Sequence, residues 1–212
     1  MYILFVIFFL ISLFLSRIIR KYVRGNVVVR LIRILLMGCS YLLIFIFIPF
    51  PKINFEVSIS FLLVVILLSI VFILFDCKQL LQSNRRGLFA FLPKVKGEQL
   101  ISRFGEVSII PIVEELFFRG TIPFEASNFH TVLMVFLSTV LFSIAHYFGN
   151  DKTVKYHVIL CLFSITSAGI YIFSENIIYS IVFHIIFNMP WFITNVRVYL
   201  YQKERERRKN AI

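Results

Sequence analysis

The sequence predicts an all-α membrane protein, a polytopic helical bundle of about seven transmembrane helices with its N-terminus outside and its C-terminus inside. Two observations lead to this fold class. First, 59% of the 212 residues are hydrophobic and only 16% are charged, whereas about a quarter of the residues of a soluble domain are charged. Second, the apolar residues form long runs rich in Leu, Ile and Phe. These runs lack an alternation of period two, which favours lipid-spanning helices over an outer-membrane barrel.

A membrane-spanning helix needs about 20 mostly apolar residues, and the chain contains seven such segments. In order they are 2–16, 31–50, 55–75, 105–124, 129–148, 156–173 and 177–196. The first is short and lacks a basic n-region and an A-x-A cleavage site, which predicts an uncleaved anchor and not a signal peptide. Pro49 and Pro51 predict a tight outer turn between the second and third helices. The more polar stretch 98–106 is expected to lie along the inner surface before the fourth helix.

The basic residues predict the orientation of these helices. Of the 22 lysines and arginines, all but Lys52 and Arg119 lie in four segments that a seven-helix topology puts on one side. Because loops rich in Lys and Arg stay in the cytosol, the N-terminus is predicted outside and the C-terminus inside. The chain is thereby divided into 1–97, with three helices and basic inner loops, 98–196, with four helices, and 197–212, a basic cytoplasmic tail.

The net charge of +11 indicates the kind of partner that the chain contacts. Because the cations are confined to short segments between apolar runs, nucleic acid is not an expected partner. Anionic lipid headgroups on the inner face of the membrane are expected instead. The Ile- and Phe-rich composition is typical of a bacterium of low genomic GC content, which predicts a multi-pass protein of a bacterial plasma membrane.

Ionisable side chains inside a span are the strongest indication of function. Each costs roughly 2.5–3.5 kcal/mol on insertion scales and is therefore expected to have a polar partner or a functional role. They are concentrated in the second half of the chain, in the strings EELFFRG of the fourth helix, FSIAH of the fifth and HIIFN of the seventh. The candidate site residues are Glu114, Glu115, Arg119, His146, His184 and Asn188.

Helical spacing suggests how these side chains work together. Glu115 and Arg119 are four residues apart on one helical face, which suits an ion pair. Glu114 is turned about 100° from Glu115 and can face a cavity shared with other helices. His184 and Asn188 are also four apart, so the set resembles a water-activating carboxylate with a histidine helper and two oxyanion donors. Taken singly, each group could equally be an interhelical contact that only stabilises the bundle.

Together the three strings resemble the motifs of the CPBP membrane proteases, the CAAX-protease and bacteriocin-processing family also called Abi. EELFFRG matches EExxxR, FSIAH matches FxxxH and HIIFN matches HxxxN, in the family's order and spacing over residues 105–190. The segment GIYIFSENIIYSIVFHIIFN is also similar to the residues that usually lead up to the third motif in this family. The resemblance implies a helical bundle whose active site lies within the membrane and opens toward the cytosol.

The resemblance also implies a role for each candidate residue within a catalytic core at 98–196. Glu114 would be the general base and His146 would help to activate water, while His184 and Asn188 would stabilise the oxyanion without a cofactor. The Glu–Arg pair would support the site. The implied activity is intramembrane hydrolysis of a membrane-associated peptide or protein. Eukaryotic members trim prenylated CaaX proteins, and compact bacterial members are linked to bacteriocin maturation, self-immunity or peptide signalling.

Two other interpretations stay open. Glu114, His146 and His184 form a His₂Glu set with one open position, which is enough for a catalytic zinc and a metalloendopeptidase. A non-catalytic membrane adaptor or immunity protein that binds a bacteriocin or kinase partner could use the same fold. In addition, straight helices would place Glu114 nearer the outer face than His146. We therefore expect the 121–128 loop to dip inward, or the fourth helix to be tilted or to break, for instance at Pro111.

Overall fold

A computed structural model of the protein describes residues 1–51, 53–123, 128–147 and 153–210. These residues form helices joined by short connections, and no strand occurs among them. A 3₁₀ turn at Leu43–Ile46 extends the second helix. The helices are α1 (Tyr2–Tyr22), α2 (Val27–Leu42), α3 (Ile59–Phe75), α4 (Cys77–Ser83), α5 (Arg86–Phe89), α6 (Gly97–Phe118), α7 (Asn128–Tyr147), α8 (Val154–Ser174) and α9 (Ile177–Lys209). The predicted all-α membrane bundle is confirmed.

Each of the seven predicted spans corresponds to a helix. Within the described ranges, α1, α2 with its 3₁₀ extension, α7, α8 and α9 are long and apolar enough to cross a membrane. A sixth crossing results if α3 and α4, which meet at a 69° bend, are counted as one broken span. α6 corresponds to the fourth predicted span and carries five charged residues: Glu98, Arg103, Glu106, Glu114 and Glu115. The polar stretch 98–106 is the first part of this helix and not a separate segment, and the count of seven stays a prediction.

α6 lies at the centre of the bundle and packs against both α2 and α9. Its contact with α2 is close, because a Cβ added to Gly38 of α2 would lie only 3.1 Å from the Val113 side chain. Small residues at such contacts let helix backbones approach in membranes, where dispersion forces drive association. This packing buries the C-terminal half of α6 and so removes its charged side chains from lipid.

α8 and α9 form an antiparallel hairpin, which places two further motif-bearing faces side by side. The helices are joined by Glu175, in the left-handed conformation with φ of 52°, and Asn176, whose side chain accepts a hydrogen bond from the Ile178 N–H and caps α9. Deeper in the hairpin, Ser180 Oγ donates a hydrogen bond to the Ser167 carbonyl at 2.9 Å. The contact fixes the register of α8 against the face of α9 that faces α6.

The chain that follows α6 returns alongside α7. The Phe118 carbonyl accepts a hydrogen bond from Ser138 Oγ at 2.9 Å, and the Pro123 carbonyl accepts one from Thr131 Oγ1 at 3.0 Å. Ser138 lies near the middle of α7 and Thr131 near its start. The segment between the two carbonyls therefore runs antiparallel to α7, toward the first turn of that helix.

This path explains how the first and second motifs reach one level of the bundle. α6 passes through Pro111 as one continuous helix, so the predicted break at this proline is wrong. Instead, the helix ends deep in the bundle and the return segment covers the first half of α7. Residues 121–123 lie beside the first half of α7, whereas 124–127 lie outside the described residues, so the dip expected for 121–128 stays a prediction.

The basic segments predicted on the inner side meet at one end of the bundle. Lys94, in the segment before α6, pairs with Glu206 of α9 at 2.6 Å. Arg197 of α9 donates to Asn84 Oδ1, next to α4, at 2.8 Å. Lys155, at the start of α8, donates to a carbonyl at the end of α3 at 3.4 Å. This clustering agrees with the predicted topology, although the membrane face that this end occupies stays a prediction.

We predict that this basic end lies in the cytosol. Phe55→Cys, between α2 and α3, and Arg205→Cys, on α9, would test this in a variant without the native Cys39, Cys77 and Cys161. Both positions are exposed. A membrane-impermeant maleimide should label Phe55→Cys in intact cells and Arg205→Cys only after permeabilisation. Labelling of both positions from the same side would overturn the topology.

Candidate active site

The last turns of α6 carry three charged side chains that are shielded from solvent. Glu115 and Arg119 are fully buried and Glu114 is 8% exposed. The neighbouring Phe117 and Phe118 are fully buried too, so α6 ends inside the bundle and not at its surface. Because desolvation of an ion costs several kcal/mol even after relaxation, these groups need partners from other helices.

Glu115 is the centre of a buried polar network. Its Oε2 lies 3.1 Å from Arg119 Nε and accepts a hydrogen bond from Ser167 Oγ of α8 at 2.6 Å. Its Oε1 lies 2.8 Å from His184 Nδ1 of α9. A carboxylate that already binds a guanidinium and a hydroxyl is an acceptor, so His184 Nδ1 donates in this contact. The predicted pair of Glu115 and Arg119 is present, and it also orients His184.

The Arg119 guanidinium connects α6 with α7 and α8. Its Nη2 donates to the carbonyl and the Oγ of Ser164, both at 3.3 Å, and Ser164 Oγ donates to Thr139 Oγ1 of α7 at 3.3 Å. The guanidinium carbon lies 4.9 Å from the centre of the Phe142 ring, a cation–π contact. Among the described residues, Nη1 has no hydrogen-bond partner, and Nε contacts Glu115 as an ion pair without hydrogen-bond alignment. The positive charge is therefore balanced mainly by Glu115.

Glu114 faces the other nitrogen of the same imidazole. Its Oε2 lies 3.8 Å from His184 Nε2, which is too long for a direct hydrogen bond. At this distance, one oxygen atom placed between the carboxylate and the imidazole can contact both Glu114 Oε2 and His184 Nε2. His184, itself buried, is thus held between two carboxylates from consecutive positions of α6. The 100° turn between these positions lets them reach opposite sides of one ring.

His146 lies one turn after Phe142 on α7 and is partly buried. Its Nδ1 lies 2.9 Å from the Phe142 carbonyl, which can only accept, so Nδ1 carries a proton and a neutral ring presents Nε2 as an acceptor. The centre of the Phe142 ring lies 4.6 Å from that of His146 and 5.8 Å from that of His184. The phenylalanine of the second motif therefore joins the two histidines.

Asn188 lies one helical turn after His184 on the same face of α9. Its side chain is partly buried and forms no hydrogen bond with another residue in the described part of the chain. The structure thus places Glu114 and Glu115 on the two nitrogens of His184, while Arg119 is connected to His184 through Glu115. Asn188 lies one turn away, and His146 is joined to the group through the Phe142 ring.

The residues that the structure describes include no group of three or more His, Cys, Asp or Glu side chains arranged to hold a metal ion. The alternative zinc set of Glu114, His146 and His184 does not adopt a ligand geometry here. Whether the activity survives a strong chelator distinguishes the zinc alternative from a metal-free site.

Two serines of α8 belong to the network although the three motifs do not include them. Ser164 contacts Arg119 and Ser167 contacts Glu115, and both serines are fully buried. They are three residues apart in the string FSITSAG and therefore share one face of α8. Paired serines on one face of an apolar span are the signal that could have identified them, because such hydroxyls bind polar groups on neighbouring helices.

One protein-family model matches a region of the chain that includes every residue of this network. Residues 97–190 match the family model described as type II CAAX prenyl endopeptidase Rce1-like. The predicted family resemblance is thereby confirmed. No curated protein and no solved structure matches the chain.

The Rce1-like segment begins with α6 and ends in α9, two residues after Asn188. It includes all three motifs and both serines, whereas α1 to α5 lie outside it. The match supports a CAAX-type intramembrane endopeptidase as the general activity of this multi-pass membrane protein. The network around Glu115 is therefore the candidate active site.

Proposed function

We propose that the protein is an intramembrane endopeptidase that hydrolyses a peptide bond of a membrane-associated peptide or protein with water activated by Glu114. The observation that carries the proposal is the pairing of Glu114 with His184 at 3.8 Å. Glu115 orients this histidine, and Glu115 is in turn held by Arg119 and Ser167. Helix association alone does not require a second buried carboxylate directed at an imidazole, since the desolvation of that carboxylate is costly.

The proposed reaction has two steps. In the first, the Glu114 carboxylate accepts a proton from water while the water oxygen bonds to the carbonyl carbon of the scissile peptide. In the second, the tetrahedral intermediate collapses and its C–N bond breaks. The proton held by Glu114 then passes to the leaving amine. The scheme requires neither a covalent intermediate nor a metal ion.

His184 is the proposed main donor to the oxyanion. Nδ1 is occupied by Glu115, so the proton that binds the developing charge is on Nε2, which faces Glu114. Arg119 adds a positive charge to this cluster through its pair with Glu115, which offsets part of the cost of burying the carboxylates. Asn188, one turn further, adds an amide donor, and each such donor usually contributes about 10²–10³ in rate.

His146 has a supporting role in this scheme. Its neutral Nε2 can accept a hydrogen bond from the attacking water, which orients the water lone pair toward the substrate. The Phe142 carbonyl fixes the tautomer that leaves Nε2 free of a proton. Phe142 itself contacts both histidines, so its ring keeps the two on one side of the reacting group.

The proposed substrate is a hydrophobic or lipid-modified peptide of a bacterial plasma membrane. A site inside the bundle is reached from the bilayer or from its inner face, which excludes ordinary soluble proteins. The family resemblance suggests bacteriocin maturation, self-immunity or peptide signalling as the setting.

Purified protein should release new peptide termini, measured by mass spectrometry, from membranes of cells that lack it. The activity should survive dialysis against a strong chelator, and the protein should contain substoichiometric zinc. Loss of activity on chelation, restored by added zinc, would replace this mechanism by a zinc mechanism with Glu114, His146 and His184 as ligands. Tight binding of a membrane peptide without cleavage would favour a non-catalytic immunity or adaptor protein.

A further inference from the structure

A cavity of about 790 Å³ lies at the basic end of the bundle, on the inner side of the candidate active site. It is bordered by α1, α2, α6, α9 and the segment that precedes α6. The charged side chains that line it are Arg20, Arg30, Arg33, Lys94, Arg103 and Glu106. The cations outnumber the anions by five to one, so the cavity has a strong positive potential that favours an anionic ligand.

Glu106, the one carboxylate among the described residues that line the cavity, does not neutralise this charge. Glu106 accepts a hydrogen bond from Arg103 at 2.9 Å and lies 3.6 Å from Arg33. Arg30 Nε donates a hydrogen bond to the Gly25 carbonyl at 3.2 Å. This acceptor is uncharged, so the contact does not neutralise the arginine. Lys94 pairs with Glu206, outside the cavity lining. With Glu206 counted beside Glu106, the five lining cations still exceed the carboxylates by three.

The floor of the cavity is apolar although its rim is cationic. Ile34, Met37 and Val198 line it and are buried in the protein. The rim is preformed, because Gln202 of α9 accepts a hydrogen bond from the Val95 N–H at 2.9 Å and donates to two neighbouring carbonyls at 3.2 Å. A cationic rim above an apolar floor is complementary to an amphiphile with an anionic head.

We infer that this cavity binds the phosphate of an anionic membrane lipid, with the cationic rim on the phosphate and the apolar floor against the glycerol and upper acyl chains. The rim residues belong to segments predicted on the inner side, at the depth of the headgroups. Basic pockets between transmembrane helices on this side are suited to anionic headgroups. The assignment does not depend on peptidase activity, because it rests on the charge and position of the cavity.

The cavity also borders the catalytic face of the bundle. Ile110 lines the cavity and precedes Glu114 by one helical turn, a rise of about 6 Å. On α9, Asn195 lines the cavity and follows Asn188 by two turns on the same face. A bound lipid would therefore occupy the inner end of the groove between α6 and α9 and fill the space between α2 and the segment before α6.

Native mass spectrometry of detergent-purified full-length protein titrated with phosphatidylglycerol tests the inference. The Arg30→Gln and Arg33→Gln double variant should bind about 30-fold more weakly, because each cation near a phosphate contributes about 1 kcal/mol. Glu106→Gln should bind about fivefold more tightly, because it removes the one carboxylate among the described residues that line the cavity. An Arg205→Gln and Arg207→Gln control loses two exposed cations outside the cavity and should keep wild-type affinity. Thermal shifts establish that the variants are folded.

The sign of the Glu106→Gln effect separates charge recognition from a loss of folding, since a merely damaged cavity would bind less. Equal binding of phosphatidylcholine, or wild-type affinity in the double arginine variant, would overturn the assignment. Displacement of the lipid by an equal concentration of inorganic phosphate, or by an acidic peptide, would mean that the acyl part contributes nothing. That outcome would also overturn it, in favour of a soluble anion.

Discussion

Glu114→Gln should lower the rate of peptide cleavage by at least about 10²–10³-fold while the protein accumulates in membranes at the wild-type level. The amide keeps the size of the side chain and can still form hydrogen bonds, but it cannot take a proton from water. Because Arg119 and the Nδ1 side of His184 bind Glu115, replacing Glu114 removes the base and leaves the Glu115 network in place. The measurement is cleavage rate per folded molecule, with folding followed by detergent thermal shift.

Glu98→Gln is the matched control for this substitution. Glu98 is an exposed carboxylate in the first turn of the same helix, far from the network, and its replacement should leave the rate unchanged. A wild-type rate for Glu114→Gln at normal abundance would exclude Glu114 from the chemistry and end the proposal. A drop of equal size in both variants would point to an effect on α6 as a whole.

Arg119→Ala is expected to be the most destabilising substitution in the chain. It removes the counter-charge of the fully buried Glu115 together with the hydrogen bonds to Ser164 of α8. Removing one partner of a buried ion pair costs roughly 3–5 kcal/mol, because the remaining charge is left uncompensated. Membrane abundance and the thermal midpoint in detergent should therefore both fall sharply.

Two further variants show whether the buried charge is the cause. Arg119→Ala combined with Glu115→Gln removes the uncompensated charge and should recover part of the stability, but not the activity, because Glu115 orients His184. Arg208→Ala breaks an ion pair with Glu204 that has the same i, i+4 spacing but is exposed, and should cost less than about 1 kcal/mol. Normal abundance and midpoint for Arg119→Ala would show that the network does not hold the bundle together.

The fold class, and the four residues that cluster in the candidate site, could be predicted from the sequence for a physical reason. Lipid requires long apolar runs and makes every ionisable group inside them conspicuous, so Glu114, Glu115, Arg119 and His184 could be identified by their positions alone. Helical periodicity was enough to predict the ion pair along α6. The contact of both glutamates with one histidine needed the tertiary structure, because it depends on how α6 and α9 pack.

Two features could not be predicted from single helices. The break expected at Pro111 is absent, because the depth of the site is set by the end of α6 and by the return segment along α7. The roles of Ser164 and Ser167 do not follow from the three motifs, because serine is nearly neutral on hydropathy scales and its importance depends on the charged side chains opposite it. In both cases the deciding information is a contact between helices that are distant in sequence.

The most direct test of the central claim compares the membrane peptides of cells that produce wild-type protein with those of cells that produce Glu114→Gln at the same level. Peptides are extracted from the membranes and their termini are identified by quantitative mass spectrometry. Shortened peptides should occur with the wild-type protein, and their uncut precursors should accumulate with Glu114→Gln. Indistinguishable peptide profiles at equal protein levels would contradict the assignment of Glu114 as the base of an intramembrane endopeptidase.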